Sequence, residues 1–156
     1  MFSLTIFQGV FDNKTHRVMN CDTLEQFEKL LYSLSKQPGY KPKKGERKAS
    51  SPLITPSTFE SGTTRANRNV IKWNRWAALD IDEYEGTFEE TINKFKSNYF
   101  ICYSTSSSTK EKPKFRIIFP LTKAVEADDI RHFWYALNYE FGSIGDAQTK
   151  DLSRMY

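Results

Sequence analysis

The sequence has few of the residues from which disulfide-bonded and zinc proteins are built. Only two cysteines and two histidines occur among its 156 residues. Cys21 and Cys102 are isolated and have no zinc-ligand spacing, which fits a reducing cytoplasm. His16 and His132 belong to neither an HxH nor an HExxH pattern. Their placement argues against a zinc enzyme and against a histidine-dependent rolling-circle nickase.

Long apolar runs are also missing. No stretch approaches the roughly 20 apolar residues that a membrane-spanning helix needs, so we expect no membrane partner. The N-terminal sequence MFSLTIFQ lacks the basic and apolar regions of a signal peptide, which predicts a cytoplasmic protein. With 38% hydrophobic and 15% aromatic residues, the chain is long enough to fold as one globular domain with its own core.

The positive charge is concentrated in one polar segment. The chain carries 23 Lys and Arg against 19 Asp and Glu, a net charge of +4. Six bases and one acid lie between Lys36 and Lys48, so this segment contributes +5 and the remainder −1. Its prolines and glycines predict a loop. A basic loop on a near-neutral body is typical of contact with a phosphate backbone, and a solvated surface loop is the plainer alternative.

Hydrophobic periodicity predicts alternating strands and helices. The predicted strands lie at 2–8, 16–19, 75–82, 99–105 and 114–121, with a further strand beginning at 154–156. Two helices begin at the capping boxes 23–26 and 87–90, and a third spans 126–141. Residues 37–70 form a long polar connection. This order predicts an α+β domain, a mixed sheet with helices on one face and an open polar face on the other.

Two acidic residues end the predicted strand at 75–82. Strand alternation places Asp80 and Asp82 together on the open face, while the apolar residues between them face the helices. Two carboxylates so close repel each other unless a cation lies between them or one is protonated. Mg²⁺ and Mn²⁺ prefer such oxygen ligands. The plainer alternative is a strand that ends in solvated acids, because short motifs often occur by chance.

The predicted hairpin at 99–121 carries a second group of polar side chains. Lys114 and Arg116 share one face, where a point charge and a planar fork suit phosphate. The loop before them is rich in hydroxyl groups. A charged sheet edge that prevents aggregation is the alternative, although it explains the centrally placed Arg116 poorly. Acids on one strand with bases and hydroxyls on a neighbouring hairpin are what metal-dependent phosphoryl transfer requires.

Three segments, RWAALDID, YSTSSSTKEKPKFRIIFPL and DAQTKDLSRMY, resemble in order and spacing the motifs of the archaeo-eukaryotic primase superfamily. The similarity is greatest to the small primase-polymerase domains of phages, plasmids and mobile elements, and it covers residues 65–156. It implies an RRM-like mixed β-sheet catalytic core with helices packed on one face and a smaller N-terminal α/β part. Residues 1–156 would then be one catalytic domain. Its N-terminal part would be 1–72 with the basic loop 36–48, and its core 73–156, trimmed at the C-terminus.

The resemblance also implies roles for individual residues. Mg²⁺ or Mn²⁺ would be held by the catalytic acids Asp80, Asp82 and Asp146. The nucleotide would be bound by Ser104, Ser106, Ser108, Lys114, Arg116 and Arg154. The second motif of the family is usually Ser-x-His, and Ser106 stands where the histidine is expected. A serine can bond a phosphate but brings no charge, so nucleotide affinity would be lower.

The resulting hypothesis is a DNA primase-polymerase, a nucleotidyltransferase with a two-metal mechanism that replicates a phage, plasmid or mobile element in a bacterial host. It would use NTPs or dNTPs on a single-stranded DNA template, with a fused or separate replicative helicase as partner. The template backbone would follow the basic residues Lys41, Lys43, Lys44, Arg47, Lys48, Arg65 and Arg68. Trp73 or Trp76 would stack a base or belong to the core. The alternatives are a catalytically degenerate primase-like domain that binds DNA in replication initiation, and a metal-dependent nuclease that uses the same acids.

Overall fold

A computed structural model of the chain describes residues 1–36, 52–95 and 99–156. In these ranges the strands are β1 (Phe2–Phe7), β2 (Val18–Cys21), β3 (Leu53–Thr55), β4 (Ser57–Phe59), β5 (Val70–Trp73), β6 (Trp76–Ile81), β7 (Ile101–Ser104), β8 (Phe115–Pro120) and β9 (Val125–Glu126). The α-helices are α1 (Leu24–Ser35), α2 (Phe88–Phe95) and α3 (Ile130–Glu140). The α+β class is therefore confirmed. None of the described helices has the length and apolar character needed to cross a bilayer.

Within the described ranges the strands form three small sheets, in the orders β2-β1-β3, β4-β5-β9 and β6-β8-β7. All of their pairings are antiparallel, where the sequence predicted a mixed sheet. The reason lies in the third sheet, because β8 inserts between β6 and β7 and is antiparallel to both. The hairpin predicted over 99–121 is confirmed as the pair β7 and β8.

The capping boxes begin two helices where the sequence predicts them. Thr23 Oγ1 accepts a bond from the Gln26 N–H at 3.2 Å at the start of α1. At α2 the bonds are reciprocal: Thr87 Oγ1 accepts from the Glu90 N–H at 3.1 Å, and Glu90 Oε2 accepts from the Thr87 N–H at 2.7 Å. These bonds satisfy N–H groups that the first turn of a helix leaves without partners.

Several boundaries differ from the sequence prediction, among them that of the strand predicted over 16–19, which lies at Val18–Cys21. The prediction of a long connection over 37–70 is wrong for the residues from Leu53 onward, because β3 and β4 lie there and β5 begins at Val70. These strands are short and Pro56 separates the first two, so they carry no readable alternation. The third helix starts at Ile130 rather than 126, because Val125 and Glu126 pair with β5.

Strand β6 lies between two apolar clusters, one on each face. Leu79 and Ile81 pack in the first cluster with Trp134 of α3. Trp76 packs in the second, where the Phe27 ring of α1 lies 5.7 Å from it. The prediction of an open polar face is therefore wrong at this strand. The β2-β1-β3 sheet and α1 cover that face, so helices lie on both sides of β6.

Trp73 and Trp76 are completely buried. Nε1 of Trp73 donates to the Leu152 carbonyl at 2.9 Å, and Nε1 of Trp76 donates to the Ser3 carbonyl at 2.7 Å. Neither ring presents a face to solvent, so the prediction that one of them stacks a base is wrong. The alternative, that both belong to the core, is confirmed.

Candidate active site

A row of three polar side chains crosses the β6-β8-β7 sheet near its end. The register places Asp80 opposite Arg116, and Arg116 opposite Tyr103, so the three share one face. Arg116 Nε donates to Asp80 Oδ1 at 3.0 Å, and Nη2 donates to Oδ2 at 3.4 Å. Only 4% of the Asp80 side chain is exposed, so water screens this ion pair little.

Burial and mutual contact shift the pKa values of Arg116, Tyr103 and the nearby Tyr156. Burial acts to lower the pKa of Arg116, but Tyr103 and Asp80 more than offset it and the pKa lies above its ordinary value. Burial raises the pKa of Tyr103, against the opposing contact with Arg116. The Tyr156 ring lies 5.9 Å from Arg116 Cζ, and burial raises the pKa of its phenol as well. At neutral pH the guanidinium is therefore charged and both phenols are protonated.

Asp82 and Lys114 continue the polar row just beyond the ends of β6 and β8. Lys114 Nζ lies 3.3 Å from Asp82 Oδ1. The Asp82 side chain is 41% exposed and that of Lys114 is 30% exposed. Water screens a pair of this kind, so the interaction is weak. Of the three predicted metal-binding acids, Asp82 is the most open to an outside ligand.

Asp146 follows α3 and lies against β6. Its N–H donates to the Asp80 carbonyl at 2.8 Å. Its Oδ1 accepts from the Gln148 N–H at 2.9 Å, and Oδ2 lies 4.0 Å from Arg154 Nη2. The preceding Gly145 permits this approach, because a Cβ there would come within 2.8 Å of Asn138 Oδ1 and 3.1 Å of the Leu79 side chain. The fold thus brings the third predicted acid to the end of β6 that carries Asp80.

Each of the three acids is paired with a base rather than with another acid. Across the described parts of the chain, no three His, Cys, Asp or Glu side chains are grouped closely enough to hold a metal ion. Carboxylate oxygens suit Mg²⁺ and Mn²⁺, and Asp82 and Asp146 are partly open to solvent. The residues therefore fit an ion that takes one or two carboxylates and completes its shell with water and phosphate. Asp80 would join it only after release from Arg116.

The three predicted nucleotide-binding serines are placed differently. Ser104 pairs with Phe115, so its side chain is on the face opposite Arg116. Ser108 Oγ accepts from the Lys114 N–H at 2.9 Å and holds the β7–β8 loop closed. Ser106 is exposed at the rim of the site. The register thus separates Ser104 from the basic pair, and Ser108 has a structural contact.

A broad cleft runs along this end of the sheet. Its lining includes Asp80, Asp82, Lys114 and Arg116 of the polar row and also Arg154, but not Asp146. Arg65, predicted to contact DNA, also lines the cleft, whereas Arg68 is exposed and outside this lining. The predicted DNA-binding residues Lys41, Lys43, Lys44, Arg47 and Lys48, with most of the basic loop, lie outside the described residues.

Two residues of the site were not assigned from the sequence. Tyr103 influences the pKa of Arg116, and its place opposite Arg116 follows from the register of the predicted hairpin. Tyr156 exchanges backbone bonds with Ile54 of β3 at 2.8 and 2.9 Å, but residues 154–156 form no strand, so the strand predicted to begin there is wrong. Its hydroxyl donates to the Ala78 carbonyl at 3.1 Å. No sequence signal indicates that this ring lies beneath Arg116, because the contact depends on how the whole chain closes.

The fold and the cleft define an α+β domain with paired acids and bases at one sheet end. Residues 55–142 match the VapE N-terminal domain family, and the chain belongs to that family. VapE-like proteins come from phages, plasmids and mobile elements, which associates this chain with such an element. The match includes Asp80, Asp82 and the β7–β8 hairpin and ends before Asp146. No curated protein and no solved structure matches the chain.

Proposed function

We propose that the chain is the catalytic domain of a DNA primase-polymerase that replicates a phage, plasmid or other mobile element in the cytoplasm of its host. It would add NTPs or dNTPs to a strand on a single-stranded DNA template, with a replicative helicase as partner. One observation carries this proposal. Asp80 and Asp82 lie at one end of β6, the Asp146 N–H bonds to the Asp80 carbonyl there, and each of the three acids lies beside a basic side chain.

The bases at this end of β6 suit phosphate groups. Lys114 and Arg154 lie 3.3 and 4.0 Å from their acids, in pairs that solvent weakens. Phosphate oxygens would attract both side chains and leave the carboxylates of Asp82 and Asp146 to other ligands. The charges would stay compensated when these ligands bind, because the bases would then contact phosphate and the acids would contact a divalent cation.

Asp82 and Asp146 would hold Mg²⁺ or Mn²⁺, and Asp80 would join them if Arg116 turned to phosphate. A bound cation supplies the positive charge that activates an attacking hydroxyl and stabilises a leaving pyrophosphate. The residues of this chain bind and orient the triphosphate. Asp80, Tyr103 and Tyr156 surround Arg116, so its charge is held at this end of the sheet before the nucleotide arrives.

The test is the incorporation of dNTPs on a primed single-stranded template with Mn²⁺. Asp82→Asn removes a carboxylate from a half-exposed position, so it should leave the fold intact and reduce incorporation by a factor of about 100 or more. Asp128→Asn is the matched control, because this acid is exposed before α3 and outside the lining of the cleft. Equal incorporation by the wild type and Asp82→Asn would refute the proposed role of the acids.

A specific observation favours a second candidate, a catalytically degenerate primase-like domain that binds DNA in replication initiation. Arg116 already bonds to both carboxylate oxygens of Asp80, and the uncharged Ser106 stands where a histidine is expected. In that case the buried pair would be purely structural. The second candidate predicts DNA binding that weakens steeply with salt, and no incorporation under any metal condition.

A further inference from the structure

Two arginines that line the cleft have buried nitrogens without a hydrogen-bond partner. In the part of the chain that the structure describes, Nε of Arg65 and Nε of Arg154 are fully buried and bond to no other group. An unpaired buried donor is unfavourable, and folded proteins usually provide it with an acceptor from the chain, from water or from a ligand. Nε1 of Trp134 in the core is unpaired as well, but the two arginines differ from it because their side chains are partly exposed and line the cleft, where the rest of each guanidinium can meet an acceptor from outside the chain.

Neither guanidinium forms a hydrogen bond with an acid among the described residues. The acid whose charge acts most on Arg65 is Asp12, and Asp12 is itself bound to Arg17 at 2.7 Å. Arg65 instead rests over the Phe7 ring, with its Cζ 5.8 Å from the ring centroid. Arg154 has Asp146 at 4.0 Å, beyond hydrogen-bond reach. Both positive charges are thus available to an anion.

Side-chain hydrogen bonds join the two segments that carry these arginines. Ser153 donates to Asn67 Oδ1 from its N–H at 2.9 Å and from its hydroxyl at 2.8 Å. Arg154 follows Ser153 directly, and Arg65 lies two residues before Asn67. The Arg65 N–H is bonded in turn to the Asn13 carbonyl at 3.0 Å. The backbone on both sides is therefore held in place, as a built binding site requires.

We infer that Arg65 and Arg154 each bind a backbone phosphate of a single-stranded nucleic acid that lies along the cleft. Phosphate oxygens accept bonds from guanidinium N–H groups and compensate their charge. The identity of the ligand rests on the proposed function, in which Lys114 and Arg116 take the triphosphate and a template strand needs its own contacts. Arg154 then contacts the template, although its resemblance to a family motif implies a contact with the nucleotide.

The test measures binding of a fluorescein-labelled oligothymidylate by anisotropy over a salt series, without nucleotide or metal. Each phosphate contact with a single strand contributes about −0.7 to the slope of log K against log salt. Arg65→Gln and Arg154→Gln should each reduce that slope by about 0.7 and weaken binding several-fold. Arg131→Gln is the matched control, because Arg131 is exposed on α3 and outside the lining of the cleft. It should leave both quantities unchanged.

If Arg65→Gln has the same slope as the wild type, the inference is overturned, and water is then the acceptor for the Arg65 Nε. The inference would also be wrong if the variants kept the slope but lost binding of dATP in calorimetry, since the arginines would then serve the triphosphate. If the variants have reduced slopes but the wild type incorporates no nucleotide, the proposed catalysis is refuted and the phosphate contacts are supported. If a Gln variant unfolds at a lower temperature than the wild type, the corresponding Lys variant replaces it. The Lys variant should keep the slope and bind the oligonucleotide several-fold more weakly. Unchanged affinity in the Lys variant would contradict the inference.

Discussion

Asp80 and Arg116 stand directly opposite each other on β6 and β8, and the guanidinium donates to both carboxylate oxygens at 3.0 and 3.4 Å. The neighbouring pair of Asp82 and Lys114 makes a single contact at 3.3 Å in a partly exposed position. One sheet end therefore contains a rigid, buried ion pair beside a weak, exposed one. The two pairs should respond very differently to the loss of an acid.

Removal of the Asp80 carboxylate should destabilise the fold. In Asp80→Asn the Arg116 charge stays buried without its counterion, and the free energy of unfolding should fall by about 3–5 kcal/mol. Asp82→Asn is the matched control, with an expected loss of about 0–1 kcal/mol. Urea denaturation measures both values, and a double replacement by Leu at 80 and Met at 116 should recover much of the loss. Equal stability of the two Asn variants would contradict this account of the buried pair.

Trp76→Phe should affect stability and leave DNA binding unchanged. The substitution removes the bond to the Ser3 carbonyl and leaves that buried oxygen without a partner, which costs about 1–3 kcal/mol. Thermal unfolding measures the loss, and anisotropy with labelled oligothymidylate measures binding by the folded variant. Tyr139→Phe serves as a control for the ring chemistry, because Tyr139 is 77% exposed on α3. A stable Trp76→Phe protein with weakened DNA binding would restore the base-stacking role.

The loop between β1 and β2 should contribute to stability in a pH-dependent way. Hydrogen bonds from the Gln8 and Lys14 N–H groups, with contact to Arg17, lower the pKa of Asp12 to about 2 from 3.8, against the effect of burial. A lowered pKa stabilises the fold above the unfolded value, and this contribution is lost as the pH falls from 3.8 through 2. The difference in melting temperature between the wild type and Asp12→Asn should therefore shrink across that range. A constant difference from pH 5 to pH 2 would contradict the assignment.

The composition of the site could be predicted, because the chemistry of its residues is local. Strand alternation pairs Lys114 with Arg116 on one face, and the structure places both in the cleft with Asp80 and Asp82. The caps at Thr23 and Thr87 are equally local, since each acts within three or four residues.

The surroundings of the site could not be predicted in the same way. Trp76 and Ala78 share the face of Asp80, so the predicted open face was already apolar along most of β6, which is typical of a strand covered on both sides. The elements that cover it come from distant parts of the chain. Periodicity carries no information on how Phe27 and Tyr156 reach β6, because such contacts depend on tertiary packing.

Calorimetric titration with dATP, in the presence and absence of Mn²⁺, tests most directly whether the acids and bases at the end of β6 form a metal-nucleotide site. We expect saturable heat with Mn²⁺, little heat with the metal omitted, and a loss of the metal-dependent part in Asp82→Asn but not in Asp128→Asn. The absence of any metal-dependent heat in the folded wild-type protein would contradict the account and favour the DNA-binding module.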